Sequence, residues 1–289
     1  MRVAAVQTTA GPDRDENLGA AGALVAEAAA SGAELVVLPE LFSVAGSPEV
    51  LRTMAEDLRG PTLAWATRLA ADLSVHILAG SFPERAADGR RVHNTSCLVA
   101  PTGALVATYR KVHLFDVDLP GAEVRESATF VPGDDICVAP LPNVPAVLGL
   151  SICYDLRFPE LYRVLALRGA TVVAVPAAFT AVTGLAHWEI LLRARAIENE
   201  TYVVAAGQVG RLPPGMPACH GHSMIVDPWG EIVAVRDEPS PGIVLGDLDL
   251  ARLARVRDKL PVLAHRRPDA YVWGGEGRKA GVGRIVNTT

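Results

Sequence analysis

The chain has 289 residues, of which 50% are hydrophobic and 20% are charged, and this composition excludes a disordered chain and a fibrous repeat. Its 27 basic and 32 acidic residues give a net charge of −5 at pH 7, without basic blocks. Nucleic-acid binding requires clustered Lys and Arg side chains that neutralise phosphates, so we expect no nucleic-acid partner.

Neither a membrane span nor a disulfide framework is predicted. The least charged stretch, 169–186, is interrupted by Pro176 and Gly184, whereas a spanning helix needs about 20 mostly apolar residues. The first residues form too short an apolar run for a signal peptide. The four cysteines have neither the CxxC spacing nor the density of a secreted scaffold. We therefore expect a cytoplasmic protein without a membrane partner.

Short runs of Val, Ala and Leu alternate with longer stretches rich in Ala, Leu, Arg and Glu, which predicts a layered α/β or α+β protein. In chain order, the first half is predicted to contain a strand at 2–8, a helix at 17–30, a strand at 34–38, a helix at 62–73, strands at 75–80, 95–100 and 105–109, a loop at 115–135, strands at 136–139 and 146–152, and a helix at 159–168. The second half is predicted to contain a strand at 171–175, a helix at 185–199, strands at 202–206, 221–226, 231–235 and 243–247, and a helix at 250–258.

No internal repeat or low-complexity linker divides the sequence. We therefore predict a single domain at residues 1–271. The residues that follow are rich in Gly and Arg, and we predict a poorly ordered tail at 272–289.

Three residues with chemically useful side chains each follow a predicted strand, where open α/β proteins place their sites. Cys153 precedes a predicted helix, whose dipole favours a thiolate. Glu40 follows a buried strand, and burial can raise a carboxyl pKa far enough for a general base. Lys111 can stabilise an oxyanion there. Taken singly, each is more often ordinary: an inert thiol, a solvated acid or a surface lysine.

A base for Cys153 cannot be assigned from spacing alone. The chain has seven histidines, and none is tied to Cys153 by its position in the sequence, so a Cys–His hydrolase stays open at this point. The histidines and acids also lack HExxH or any other metal-binding spacing. We therefore expect no metal.

Together, three segments resemble the signature segments of the nitrilase, or carbon–nitrogen hydrolase, superfamily. They are Leu38-Pro39-Glu40, Tyr109-Arg110-Lys111-Val112-His113-Leu114-Phe115-Asp116 and Cys153-Tyr154-Asp155-Leu156-Arg157-Phe158-Pro159-Glu160. The resemblance extends from about Val3 to Tyr271. It implies a four-layer αββα sandwich, assembled into homodimers or larger homo-oligomers, that uses no cofactor.

The resemblance also implies a role for each matched residue. Glu40 would be the general base, Lys111 the oxyanion stabiliser and Cys153 the nucleophile. The backbone N–H of Tyr154 would complete the oxyanion hole. Glu126 matches the family's second, positioning glutamate.

The segments at 153–160, 184–189 and 221–230 resemble the Nit branch of the superfamily, which holds ω-amidases and deaminated glutathione amidases. The segments at 192–198 and 265–269 resemble deaminated glutathione amidases more than ω-amidases. The implied reaction is hydrolysis of a small linear amide of a keto acid through a cysteine thioester. Candidate substrate-binding residues are His187, Trp188, Arg193 and Arg195, because a guanidinium suits a carboxylate and the other two can line a pocket.

Three alternatives remain. An N-carbamoyl amino-acid amidohydrolase would use the same residues, and an N-acyltransferase would transfer the acyl group from the cysteine thioester to an amine. A non-catalytic binding protein is disfavoured because all three catalytic positions are filled. Asp155, Arg157 and Glu160 are expected to form a charge cluster at the start of the helix that follows Cys153.

Overall fold

Two β-sheets packed face to face form the centre of the computed structural model, which describes residues 1–119, 122–213 and 216–270. In chain order, the strands are β1 (Arg2–Gln7), β2 (Leu35–Val37), β3 (His76–Leu78), β4 (Phe82–Arg85), β5 (Val92–Val99), β6 (Leu105–Arg110), β7 (Asp116–Leu119), β8 (Ala122–Arg125), β9 (Val138–Pro140), β10 (Val147–Leu150), β11 (Val172–Ala177), β12 (Tyr202–Gly207), β13 (Val209–Gly210), β14 (Cys219–His220), β15 (Met224–Val226), β16 (Ile232–Val235) and β17 (Gly242–Asp247). The helices are α1 (Arg14–Ala30), α2 (Pro48–Thr53), α3 (Pro61–Leu73), α4 (Pro159–Leu167), α5 (Ala181–Asn199) and α6 (Leu250–Lys259).

The first sheet has the strand order β17-β1-β2-β3-β5-β4, with β6 also paired to β5, and the second has the order β16-β15-β12-β11-β10-β9. Strands β1, β2 and β3 run parallel, as do β10, β11 and β12. The carboxyl ends of neighbouring parallel strands therefore lie along one edge of each sheet.

Side chains from both sheets form a shared core between them, because alternate residues of each buried strand face inward. Leu35 and Val37 of the first sheet pack in the same cluster as Leu148 and Val172 of the second. Helices α1 and α3 cover the outer face of the first sheet, and α4 and α5 cover that of the second. This arrangement is the predicted four-layer αββα sandwich.

The predicted strands and helices are present with shifted ends. Helix α1 begins earlier than predicted because the Asp13 side chain caps it, accepting hydrogen bonds from the N–H groups of Asp15 and Glu16 at 2.9 and 3.1 Å. The prediction missed α2 and the short strands β4, β7, β8, β13 and β14. The loop predicted at 115–135 instead contains the β7–β8 hairpin and a 3₁₀ turn at Glu126–Ala128.

Two further predictions concern the ends of the chain and membranes. The predicted tail at 272–289 lies outside the described residues, and the single domain at 1–271 stays a prediction. Among the residues that the structure describes, no helix combines the length and hydropathy needed to cross a bilayer.

Candidate active site

The carboxyl ends of the two sheets' parallel strands meet at one edge of the sandwich. Glu40 follows β2 of the first sheet, and its carboxylate Oε2 accepts a hydrogen bond from the backbone N–H of Ala178, which follows β11 of the second, at 2.8 Å. Its backbone carbonyl accepts a second bond from Gln208, which follows β12, at 3.0 Å. Glu40 is therefore attached to the second sheet from both its main chain and its side chain.

The turn that carries Glu40 depends on a close backbone approach. The next residue, Leu41, has a φ of +52°, and its N–H donates to Ser81 Oγ at 2.9 Å. Gly80 lies against the same turn, where a Cβ would stand only 1.9 Å from the carbonyl oxygen of Pro39. Only glycine leaves room for this contact.

Two donors bind the second carboxylate oxygen of Glu40. Oε1 accepts from Asn94 Nδ2 at 2.8 Å and from Lys111 Nζ at 2.9 Å. The backbone carbonyl of Asn94 in turn accepts the N–H of Lys111 at 2.9 Å. Asn94 therefore holds the carboxylate and the lysine main chain together.

Lys111 follows β6, and its ammonium is buried between two carboxylates. Nζ lies 2.9 Å from Glu40 Oε1 and 2.9 Å from both oxygens of Glu126. Burial alone lowers the pKa of Lys111, but the Glu126 and Glu40 carboxylates more than offset this effect, so the pKa lies well above its ordinary value. Lys111 therefore stays cationic.

Glu126 begins the 3₁₀ turn after β8. Its Oε2 also accepts the N–H of Phe115 at 2.7 Å, which fixes the carboxylate beside Lys111. Burial raises the pKa of Glu126 despite the attraction of Lys111, and the Glu40 carboxylate adds to the increase. The structure thus brings the predicted Glu40, Lys111 and Glu126 into one cluster.

Cys153 lies beside this cluster at the first residue of a 3₁₀ turn, Cys153–Arg157, and its φ of +45° is unusual for a residue other than glycine. Burial raises the pKa of the Cys153 thiol well above its ordinary value. The Glu40 carboxylate raises it further, and Lys111 offsets only part of the increase. The prediction of a thiolate favoured by a helix dipole is therefore wrong, because α4 begins only at Pro159, beyond this short turn.

Cys153 and Glu40 line a cavity with largely apolar walls. Side chains that line it include Leu41, Phe115, Val124, Tyr154, Phe179 and Met216. Thr180, Thr183 and Arg157 add polar groups to the same lining. The site therefore combines a thiol, a carboxylate and a partly apolar pocket.

Arg157 is the cation that faces this pocket from the second sheet's side. Its guanidinium carbon lies 5.1 Å from the ring centre of Phe179 and 5.9 Å from that of Tyr154. Nη2 donates to Thr183 Oγ1 at 3.3 Å, and Nη1 lies 3.1 Å from His187 Nδ1. Within the described ranges, no carboxylate lies within 4.0 Å of Arg157, whereas Lys111 pairs with two. The predicted charge cluster with Asp155 and Glu160 is wrong, because Arg157 turns toward α5.

The four residues predicted to bind substrate do not line the described cavity. Trp188 is fully buried in the core, where its Nε1 donates to the carbonyl of His222 at 2.8 Å. Arg193 binds the Gly230 carbonyl and Glu189, and Arg195 binds the Leu156 carbonyl and Glu198. His187 is exposed, and its Nδ1 lies 3.1 Å from Nη1 of Arg157, which does line the cavity. Helical spacing could not show which face of α5 turns toward the thiol.

Sequence reasoning missed Asn94 and Ala178 and treated Arg157 as structural. Asn94 carried no recognisable signal, because its role arises from pairing between β5 and β6. Arg157 lies in the segment after Cys153 that matched the superfamily, so position in that segment was the available signal. In the parts of the chain that are described, no group of three or more His, Cys, Asp or Glu side chains is arranged to hold a metal ion.

A sequence model of the family described as Carbon-nitrogen hydrolase matches residues 2–258. The chain belongs to this family. It is 45% identical to deaminated glutathione amidase of Bos taurus over 274 residues, which cover 93% of this chain and 83% of the relative. It is 37% identical to omega-amidase NIT2 of Homo sapiens over 272 residues, or 94% of this chain and 96% of the relative.

Solved structures agree with the fold. The NitFhit protein of C. elegans superposes with a TM-score of 0.84 at 36% identity, over 94% of this chain and 66% of that one. A glutamate-to-glutamine mutant of the amidase from Nesterenkonia sp. AN1 superposes with a TM-score of 0.74 at 30% identity, over 90% of this chain and 98% of that one. That structure shows Michael addition of acrylamide at its active-site cysteine. The predicted family, fold and amidase class are confirmed.

The charges around Cys153 predict opposite shifts in two variants. Glu40→Gln removes the anion that raises the pKa of the thiol, so this pKa should fall. Lys111→Met removes the cation that lowers it, so this pKa should rise. The measurement is the pH dependence of Cys153 alkylation by iodoacetamide, with the modified cysteine located by peptide mass spectrometry.

Lys259→Met is the matched control, since Lys259 is exposed on α6, and it should leave the alkylation profile unchanged. Unchanged profiles for both active-site variants would contradict the electrostatic arrangement described above.

Proposed function

We propose that the chain hydrolyses small linear amides of keto acids through a thioester on Cys153. The observation that carries this proposal is the contact of Glu40, Lys111 and Glu126 in one buried cluster beside the thiol. Membership of the carbon–nitrogen hydrolase family and the amidase relatives support the reaction class. Glu40 is the proposed base, and Cys153 the proposed nucleophile.

Glu40 Oε2 is the proposed acceptor of the thiol proton. Glu40 Oε1 already accepts from Asn94 and Lys111, whereas Oε2 accepts only the N–H of Ala178. Oε2 takes the proton as the sulfur attacks the amide carbonyl carbon. This transfer explains how a thiol with a raised pKa serves as a nucleophile, since the thiolate forms only during attack.

The carbonyl oxygen becomes an anion in the tetrahedral intermediate. Lys111 Nζ and the backbone N–H of Tyr154 are the proposed donors to it. Glu40 then gives its proton to the departing nitrogen, the C–N bond breaks, and an acyl thioester on Cys153 remains. Glu126 acts through Lys111, which it holds in place.

Water completes the reaction. Glu40 removes a proton from water as its oxygen attacks the thioester, and the intermediate collapses with the proton returned to the sulfur. The products are a carboxylic acid and an amine or ammonia. The Michael adduct on the active-site cysteine of the Nesterenkonia amidase mutant supports a nucleophilic thiol.

Glu40→Gln should lower kcat by at least about 10²-fold, because one side chain acts as base and acid in both half-reactions. Cys153→Ala should abolish turnover, since no nucleophile remains. Amine release measures turnover, and intact mass spectrometry after incubation with acrylamide should still show an adduct on the Glu40→Gln variant.

Glu34→Gln is the control, because Glu34 is a half-exposed acid at the far end of β2, and it should keep wild-type kcat. Rapid amide turnover by a folded Cys153→Ala protein would disprove the covalent mechanism.

Arg157 is the proposed site for the substrate carboxylate. It lines the cavity that contains Cys153, it lacks an acidic partner among the described residues, and a guanidinium binds a carboxylate in bidentate fashion. A keto acid with an amide at its far end suits a pocket whose lining includes both a cation and a thiol. Deaminated glutathione would release a dipeptide amine, and α-ketoglutaramate would release ammonia.

Arg157→Met should raise KM for a carboxylate-bearing ω-amide by about 10- to 100-fold, since a hydrogen bond to a charged group contributes about 1.5–3 kcal/mol. KM for an uncharged amide of the same length should change little. Arg193→Met, on the outer side of α5, is the matched control. An equal effect on charged and uncharged amides would remove Arg157 from carboxylate binding, and higher kcat/KM for an N-carbamoyl amino acid would favour that alternative.

We also propose a homodimer that packs through α5. Leu185 is 90% exposed and Ile190 69% exposed, and together with Val182 they are exposed apolar side chains on α5. The four cysteines are free, which is compatible with the proposed reducing cytoplasm.

Leu185→Glu should weaken the dimer, because it places a charge within an apolar contact. Light scattering at micromolar concentration measures the change in mass. Leu105→Glu, on the exposed face of β6, is the matched control and should leave the mass unchanged. A wild-type protein that is monomeric at this concentration would contradict the proposal.

A further inference from the structure

Asp155 is a fully buried carboxylate that no step of the proposed reaction uses. It accepts four hydrogen bonds, two on each oxygen. Oδ1 accepts from the backbone N–H of His113 at 3.1 Å and from His113 Nδ1 at 2.8 Å. Oδ2 accepts from the Tyr109 hydroxyl at 2.7 Å and from the N–H of Ile152 at 2.8 Å. Because a carboxylate only accepts, Nδ1 carries the proton in this contact.

The four donors come from the two segments that carry the reacting groups. Tyr109 and His113 lie two residues before and two residues after Lys111. Ile152 directly precedes Cys153, and Asp155 lies two residues after it. The Asp155 carboxylate therefore binds the chain on both sides of Lys111, and it also closes the turn that contains Cys153.

Two further observations support this connection. Cys153 has a φ of +45°, and the bond from Ile152 N–H to Asp155 spans this uncommon conformation. The His113 ring also stacks on Phe158, which ends the same 3₁₀ turn, with ring centres 3.6 Å apart and planes 7° apart. The lysine segment and the nucleophile turn are thus joined by charge and by packing.

We propose that Asp155 is a positioning residue that fixes Lys111 Nζ relative to the sulfur of Cys153. It touches neither the substrate nor the reacting atoms. The inference rests on the proposed function, because it assumes that both residues act on the same carbonyl group. Displacement of a reacting group by about 1 Å can reduce the rate about 10²-fold.

Asp155→Asn is the direct test. Each oxygen of Asp155 accepts two hydrogen bonds, so either orientation of the amide places an NH₂ group against two donors. We expect kcat to fall about 10- to 100-fold while KM changes less than about threefold, because the pocket that binds substrate is intact. Tyr109→Phe removes one donor of the four and should have a smaller effect on kcat.

Asp227→Asn is the matched control. Asp227 is also buried, and its Oδ1 accepts the N–H groups of Trp229 and Glu231, both at 2.9 Å, in a turn between β15 and β16. Its side chain is absent from the described lining of the cavity. The substitution should lower the melting temperature and leave kcat at the wild-type value.

The outcomes separate this proposal from the proposed function. Wild-type kcat in folded Asp155→Asn, with loss of stability alone, would overturn the positioning role and leave the cysteine mechanism intact. Activity in Cys153→Ala would overturn the mechanism itself. If Asp155→Asn does not fold, the double variant Tyr109→Phe/His113→Gln keeps the carboxylate and should still lose at least about 10-fold in kcat; wild-type kcat there would overturn the proposal.

Discussion

The arrangement of the site depends on the pairing of the buried Lys111 ammonium with two carboxylates. An unpaired charge in a protein interior is strongly unfavourable, and the carboxylates of Glu40 and Glu126 compensate it at 2.9 Å. Two carboxylates against one ammonium leave an excess negative charge, which opposes a thiolate on Cys153. Transfer of the thiol proton to Glu40 neutralises the Glu40 carboxylate while a negative charge forms on the Cys153 sulfur. The buried charge therefore stays constant during the proposed attack.

The two-sheet architecture explains how these groups meet. Glu40 follows β2 of the first sheet, whereas Cys153 follows β10 of the second, and the sequence separates them by more than a hundred residues. The hydrogen bonds that Glu40 accepts from Ala178 and Gln208 join the two edges. Packing between the sheets thus sets the distance between base and nucleophile, and a shift of one sheet against the other would separate them.

Sequence alone identified the residues whose signal is local. Glu40, Lys111 and Cys153 each follow a predicted strand, and each lies within a segment that matched a superfamily signature. Asn94 had no such signal, since its contacts depend on pairing between β5 and β6. The error at Trp188, Arg193 and Arg195 has the same cause: periodicity places residues on faces of a helix, but only tertiary packing decides which face meets the cavity.

Helix α5 contacts Arg157, and it also carries the exposed apolar residues of the proposed dimer contact. Thr183 and His187 contact Arg157 from one face of the helix, while the exposed Leu185 lies near the opposite face and the exposed Ile190, three residues after His187, lies beside the Arg157 contact. These positions lie within about two turns of the helix, so a partner that packs on Leu185 and Ile190 also restrains the backbone that orients the guanidinium. Because Arg157 lacks an acidic partner among the described residues, its position depends on this helix and on the rings of Tyr154 and Phe179. Assembly through α5 would therefore stabilise the position of Arg157, the residue proposed to bind the substrate carboxylate, whereas the Glu40–Lys111–Cys153 cluster is held by contacts from other elements.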